Sequence, residues 1–152
     1  TRVVGRARRV TNSATSSSTT LVPVLRLDGI PLTAGNLYEI ESGSLALDGS
    51  VANDIIRATM VYATDGSPAT IISANLPGGL TQGLQANTGQ SEIRKISTTY
   101  TPNTNETLSL QLCLSRAAGT GIVQIFADGT TNLIEFWVTD KGIDPGDTGI
   151  DL

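Results

Sequence analysis

Apolar and polar residues alternate along most of this chain with a period of two, and no run of ten residues shows the recurrence of a helix. Thr107 to Ser115 is the clearest stretch. Leu108, Leu110, Leu112 and Leu114 fall on one face, with Thr107, Ser109, Gln111, Cys113 and Ser115 on the other, which predicts a half-buried strand. Ile55 to Ala63 sets Ile56, Ala58, Met60 and Tyr62 against Ile55, Arg57, Thr59 and Val61. After a turn at Asp65-Gly66-Ser67-Pro68, Ala69 to Ala74 is the expected hairpin partner. Further strands are expected at Leu37–Ser42, around Leu45 and Leu47, at Ile122–Ala127 and at Asn132–Thr139 with Phe136 and Trp137. Glu92 to Thr101 reads as one strand, with Ile96, Thr98 and Tyr100 opposite Lys95, Ser97 and Thr99. Leu21 to Leu27 contains Pro23, which lacks a ladder donor, so this strand belongs at an edge or a bulge. Leu76 to Gln90 is rich in glycine and poor in apolar residues, and reads as a long exposed loop.

The ends differ from the middle. Thr1 to Val10 alternates loosely, with Arg2, Val4, Arg6 and Arg8 on one side and Val3, Ala7 and Arg9 on the other, as an edge strand or an extended arm would. Thr11 to Thr20 is almost purely Ser, Thr and Asn, so any order in it must come from contacts. Gly and Pro interrupt the last thirteen residues, which read as a tail. The organisation expected is a basic arm with a Ser/Thr-rich segment over 1–20, a β-sandwich over 21–139 and an acidic tail over 140–152. Short strands separated by turns give an all-β class, with a jelly-roll sandwich of about eight strands as the leading architecture. A Greek-key immunoglobulin-like sandwich is the alternative, but the Cys and Trp spacing of that fold is missing.

Composition narrows the function. The 152 residues include no His and one Cys, which removes the usual general base, the commonest zinc ligand and any internal disulfide. No cofactor is implied, and no catalytic group is nominated: no Ser has a base beside it, Lys95 sits among Thr and Ser, and nothing singles out two carboxylates. No apolar run approaches the ~18 residues of a membrane helix, and the start lacks the pattern of a secretory signal, so a soluble chain without a membrane partner is expected. Thr1 is the kind of residue that initiator-Met removal leaves, a start that a full chain and a piece of a longer one share. The net charge of −4 argues against a nucleic-acid partner.

Charge is unevenly spread. Arg2, Arg6, Arg8, Arg9 and Arg26 all precede the first acid, Asp28, whereas from Asp128 onward six carboxylates face Lys141 alone. Such complementary ends can pair within one fold or between neighbouring copies. Arg2, Arg6, Arg8 and Arg9, with Asp140, Asp144 and Asp147, are therefore the candidate docking residues, and a solvated edge strand and tail are the plainer alternative. The same three aspartates are candidate calcium ligands, although they lack the spacing of an EF-hand loop. Tyr38, Tyr62, Tyr100 and Trp137 are candidates for stacking on a sugar ring, with core packing favoured for at least three.

Other motifs carry less. Gly119-Thr120-Gly121 begins a dinucleotide fingerprint but meets Gln124 and leads into a strand, so it reads as a tight turn. Gly78-Gly79 to Gly83 has no Gly-Lys-Ser/Thr ending, and Asn105-Glu106-Thr107 is a formal glycosylation sequon without a secretion signal. Cys113, without a basic neighbour in the sequence, reads as a small, partly buried side chain.

Four stretches carry a family resemblance: RVVGRARRV at the start, VLRLDGIPLTAGNLYEI from Val24 to Ile40, VANDIIRATMVYATDGSPAT from Val51 to Thr70, and EFWVTDKGIDPGDTG near the end. They resemble a β-domain of virion proteins from tailed phages that infect actinobacteria. The resemblance covers about four-fifths of the chain and rests on structural patterns without a catalytic signature. It implies a place in the particle, as a capsid decoration protein, a head fibre or a minor tail component, assembled in the host cytoplasm. The partners it implies are further copies in a homotrimer and the major capsid protein or another virion protein, with a host glycan for a tail component.

Overall fold

The computed structural model describes residues 1–66, 72 and 74–150. The turn expected at 67–68 and the strand expected over 69–74 thus lie outside the described residues, apart from Ile72 and Ala74. The described chain forms eleven strands and no helix: β1 (Arg2–Arg9), β2 (Val22–Leu32), β3 (Asn36–Ser42), β4 (Leu45–Gly49), β5 (Ile55–Ala63), β6 (Asn75–Leu84), β7 (Glu92–Arg94), β8 (Ser97–Tyr100), β9 (Glu106–Ala118), β10 (Val123–Phe126) and β11 (Ile134–Ile143).

Their pairing is nested. β1 pairs with β11, β2 with β9, β3 with β8 and β5 with β6, all antiparallel. The chain is thus one long hairpin, folded in half between β5 and β6 and then rolled so that successive pairs enter opposite layers. The layers are β1-β11-β3-β8 and β2-β9-β5-β6, the two sheets of a jelly roll. A third sheet, β10-β4-β7, repeats the order β11-β3-β8. Each of its strands adjoins its counterpart in sequence, across breaks at 43–44, 95–96 and 127–133, so it extends the first layer over the far end of the core. The single strand expected over Glu92–Thr101 is consequently two, β7 and β8, divided at the break where buried Ile96 exchanges hydrogen bonds with Ser42.

The polar segment 11–20 is held by contacts along this extension. Ser13 and Ser16 bond to the backbone of Ile125 and Val123, Asn12 Oδ1 accepts from Ala127 N, and Ser18 O accepts from Arg116 N. Pro23 stands at a register shift in the edge strand β2, where its missing donor costs nothing.

The core fills the space between the layers. Leu108, Leu110, Leu112 and Leu114 of β9 meet Ile40, Phe136 and Val138 of the opposite layer, all fully buried. β9 is not half-buried as its alternation predicts. Ser109, Gln111, Cys113 and Ser115 are buried too, because a second small cluster of Val61, Ile72 and Cys113, flanked by Leu21 and Ala63, covers the outer side of the sheet. Burial pushes the Cys113 thiol above its ordinary pKa, which makes it a weak nucleophile.

Leu76 to Gln90 is not a loop over its first nine residues, which belong to β6. Its inward positions are Leu76, Gly79 and Gly83. A Cβ on Gly79 would lie 3.0 Å from Met60 Cβ, and one on Gly83 would lie 2.8 Å from Glu92 Cβ. Met60 crowds Gly79 from the neighbouring strand, at the register shift of β5, and Glu92 crowds Gly83 from the sheet above, so neither position has room for a side chain, and glycine erases the apolar alternation that marks a strand.

A buried polar knot ties the loops at the far end. Asp54, fully buried, accepts from Thr120 N at 3.1 Å and Gly121 N at 2.9 Å on Oδ1, and from Val51 N at 3.2 Å on Oδ2. Gly119-Thr120-Gly121 is thus the tight turn expected, wrapped on a carboxylate so closely that a Cβ on either glycine would collide with it. Buried Gln85 accepts from Gly49 N and donates to the carbonyls of Asn87 and Gln90.

Two substitutions test this packing in urea denaturation. Gly83→Ala is expected to cost about 1–3 kcal/mol by overpacking β6 against β7. Asp54→Ala removes the acceptor of the buried Gly121 N–H and of the partly buried Val51 and Thr120 N–H groups and is expected to cost about 1–3 kcal/mol, with Asp54→Asn recovering part of the loss because one oxygen acceptor remains.

Candidate functional site

β1 and β11 bring the oppositely charged ends of the chain side by side. Arg6 stands opposite Trp137, Arg8 opposite Glu135 and Arg2 opposite Asp140. The guanidiniums of Arg6 and Arg8 both reach Glu135 Oε2, at 2.9 and 3.2 Å. The hydrogen bond from Arg6, aided by Arg8, holds the Glu135 carboxyl below its ordinary pKa against the opposing effect of burial. The charges of the two ends thus meet in part within one chain, across the β1–β11 ladder, where half-exposed pairs add modestly to the backbone pairing.

The other candidates have distinct partners. Arg9 donates to the carbonyls of Val24 and Thr11, each at 3.0 Å, and to that of Asn12, stitching β1 to β2 and to the segment that follows. Asp140 Oδ1 accepts from Gly142 N, Asp144 Oδ1 from Gly146 N and Asp147 Oδ1 from Gly149 N, each at 2.8 Å. This thrice-repeated Asp-x-Gly is a series of Asx turns. Asp144 also accepts from the Thr101 hydroxyl, and that bond, with the one from Gly146 N, lowers its pKa. Among the described residues no group of three or more acidic, Cys or His side chains is placed to hold a metal ion.

Residues 2–9 form the edge strand rather than a free arm, and a bulge between Val3 and Gly5 changes its facing. Val4 packs against the core with Ala7, while Val3 joins Arg6 on the outer face, the reverse of simple alternation. β11 continues to Ile143, so the boundary expected at 139 falls inside a strand.

Three of the four aromatic candidates belong to the core. Tyr38 is buried, with its hydroxyl accepting from Thr33 N at 2.7 Å. Tyr62 and Tyr100 pack edge to face with centroids 5.8 Å apart, and the Tyr100 hydroxyl donates to Glu106 at 2.6 Å. Burial, with Glu106 beside it, raises the pKa of Tyr100. Trp137 differs: it lies partly exposed on the outer face, in an open groove of about 330 Å³ shared with Val3, Arg6 and Glu135. Arg6 and Trp137 stand 131 positions apart in the sequence, and nothing local to either shows that they are cross-strand neighbours.

One end of this sheet forms a pole. Arg2 and Val3 begin β1 there, and Ile143 ends β11 before the tail departs, anchored by Asp144 N on Gly35 O. Val3 is 59% exposed and Ile143 and Ile150 each 86%, more than any other large apolar residue among those described.

No family model matches the chain, and no curated protein matches it. Solved structures resemble it in fold. The sugar-binding C-terminal domain of EclA is 15% identical, with 87% of this chain and 77% of that one covered and a TM-score of 0.42. The VP2 subviral particle protein of infectious bursal disease virus is 14% identical over 93% of this chain and 37% of its own, with a TM-score of 0.46. The CBM22-1-GH10 modules of Clostridium thermocellum xylanase 10B are 12% identical over 96% and 30%, with a TM-score of 0.37. The chain spans little more than a third of the viral protein and less than a third of the xylanase modules it matches.

Proposed function

We propose that this chain is a non-enzymatic structural protein of a virion, a capsid decoration protein that docks on the shell as an oligomer, and that the pole where its two ends meet is the docking point. The observation that carries this reading is the convergence at one end of the sheet of Arg2, the start of the acidic tail and two of the most exposed apolar side chains, Val3 and Ile143. Exposed isoleucines cost solvation free energy in an isolated chain, and a neighbouring surface that covers them recovers it. The mixed charge around them sets orientation and encounter rate, since Arg2 and the tail aspartates select a partner surface carrying both signs.

The rest of the fold suits the role. The jelly roll is rigid, and its polar segments are tied to strands, so little is left to order on docking. Weak contacts repeated over a lattice hold by avidity, and a homotrimer presenting three poles multiplies them.

Full-length protein added to particles that lack it tests the reading through occupancy. Ile143→Asp together with Ile150→Asp is expected to lower occupancy at least about tenfold without altering the unfolding midpoint, and raised salt is expected to weaken an Asp144→Lys/Asp147→Lys variant differently from the wild type. Undiminished occupancy of the isoleucine variant overturns the assignment of the pole.

A further inference from the structure

The outer face of the β1-β11-β3-β8 sheet carries a second feature, away from the tail. Across this sheet, Arg6 of β1, Trp137 of β11, Glu41 of β3 and Ser97 of β8 form one continuous cross-strand row. Glu135 precedes Trp137 by two positions on the same face, and the Arg6 guanidinium is fixed against it at 2.9 Å. Arg6 is about half exposed, and its bond to Glu135 is made through Nη2. On the other side Glu41 accepts from the Ser97 hydroxyl at 3.5 Å. In the cross-strand order Trp137 therefore stands between Arg6, which holds Glu135, and Glu41, all set on strands rather than loops.

We infer that this row is a binding site for a neutral saccharide, with one pyranose ring stacked on Trp137 and its vicinal hydroxyls bonded to Arg6, Glu135 and Glu41. Three observations select this ligand class. An indole offers an apolar, electron-rich face suited to the C–H face of a sugar. Guanidinium and carboxylate groups are two-pronged, and a pair of adjacent hydroxyls presents a matching pair of donors and acceptors. The charges on this face balance, with Glu135 held by Arg6 and Arg8 and Glu39 by Lys141, so no excess of one sign favours a charged ligand over a neutral one. The groove, at about 330 Å³, lies at the small end of the ~300–1,000 Å³ range of ligand sites and has room for about one ring. The groove shares Val3 with the proposed docking pole, while Arg6, Trp137 and Glu41, which carry the recognition, lie outside it.

Trp137 is the chain's only tryptophan, so its fluorescence reports on this site alone. The full-length protein is titrated with glucose, galactose, mannose, arabinose, N-acetylglucosamine and their short oligomers, with inorganic phosphate and oligothymidylate as charged comparisons. A saturable change is expected for at least one neutral sugar, with a dissociation constant in the millimolar range, and none for the anions. Arg6→Lys keeps the charge and the reporter but loses the fork, and is expected to weaken binding about tenfold, with Glu41→Gln lowering it in the same direction. Trp137→Ala, followed by saturation-transfer NMR, is expected to abolish sugar contacts while leaving particle occupancy unchanged. Failure of every sugar to give a saturable change overturns the inference. So does a response to phosphate in place of sugar, or sugar binding indifferent to both Arg6→Lys and Glu41→Gln. Loss of occupancy in the isoleucine variant has no bearing on any of these outcomes.

Discussion

The fold depends on β9 being buried from both sides. It is the longest strand, pairs with β2 along one edge and β5 along the other, and sends four leucines into the space between the layers. Ladder hydrogen bonds alone would not place it, because any register satisfies them. The apolar contacts do: a slip of one residue would move the whole leucine row to the outer side and bring Ser109, Gln111 and Ser115 into the core. Every nested pair then follows. β2 and β5 are fixed by β9, β6 by β5, and the opposite layer by what fits against the leucines.

The features legible in the sequence were those in which one side chain reports its own environment. The leucine alternation of β9, the consequence of Pro23 for β2 and the turn at Gly119-Thr120-Gly121 are of this kind. The jelly-roll class follows from strand number and turn spacing. What stayed hidden depends on distant partners. β6 loses its apolar pattern because Gly79 and Gly83 make way for Met60 and Glu92, which are remote in sequence or on another strand. The division between β7 and β8 follows from a sheet break shared by three strands, and the burial of the polar side of β9 follows from Leu21 and Ile72 lying over it. Asp54 looks like any loop aspartate until the turns it binds are brought around it.

The candidate site divides in the same way. The charge asymmetry of the two ends is plain in the sequence, and their meeting is a consequence of β1 pairing with β11. Which charges are used up is not plain. Glu135 takes both Arg6 and Arg8, and Arg9 turns to backbone carbonyls, so much of the basic strand is spent on closing the fold. The bulge at Val3 is the local event that matters most, since it places an apolar residue beside Trp137 and Arg6 where alternation would have put a different one.

This distribution explains why one small domain can hold two separable surfaces. The proposed pole gathers groups that the fold leaves exposed at its ends: Arg2, Val3, Ile143 and a tail whose aspartates close their own turns, with Asp140 and Asp144 also held by Asn36 and Thr101. The Trp137 row gathers groups that the fold holds rigidly, on paired strands and with the guanidinium already oriented by Glu135. A surface that adapts suits a partner met many times over with modest contact at each copy, whereas a surface fixed in advance suits a small ligand that cannot repay the cost of ordering side chains. The β1–β11 pairing supplies both, because the same ladder that joins the chain's ends at the pole sets Arg6 beside Trp137 in the middle of the sheet.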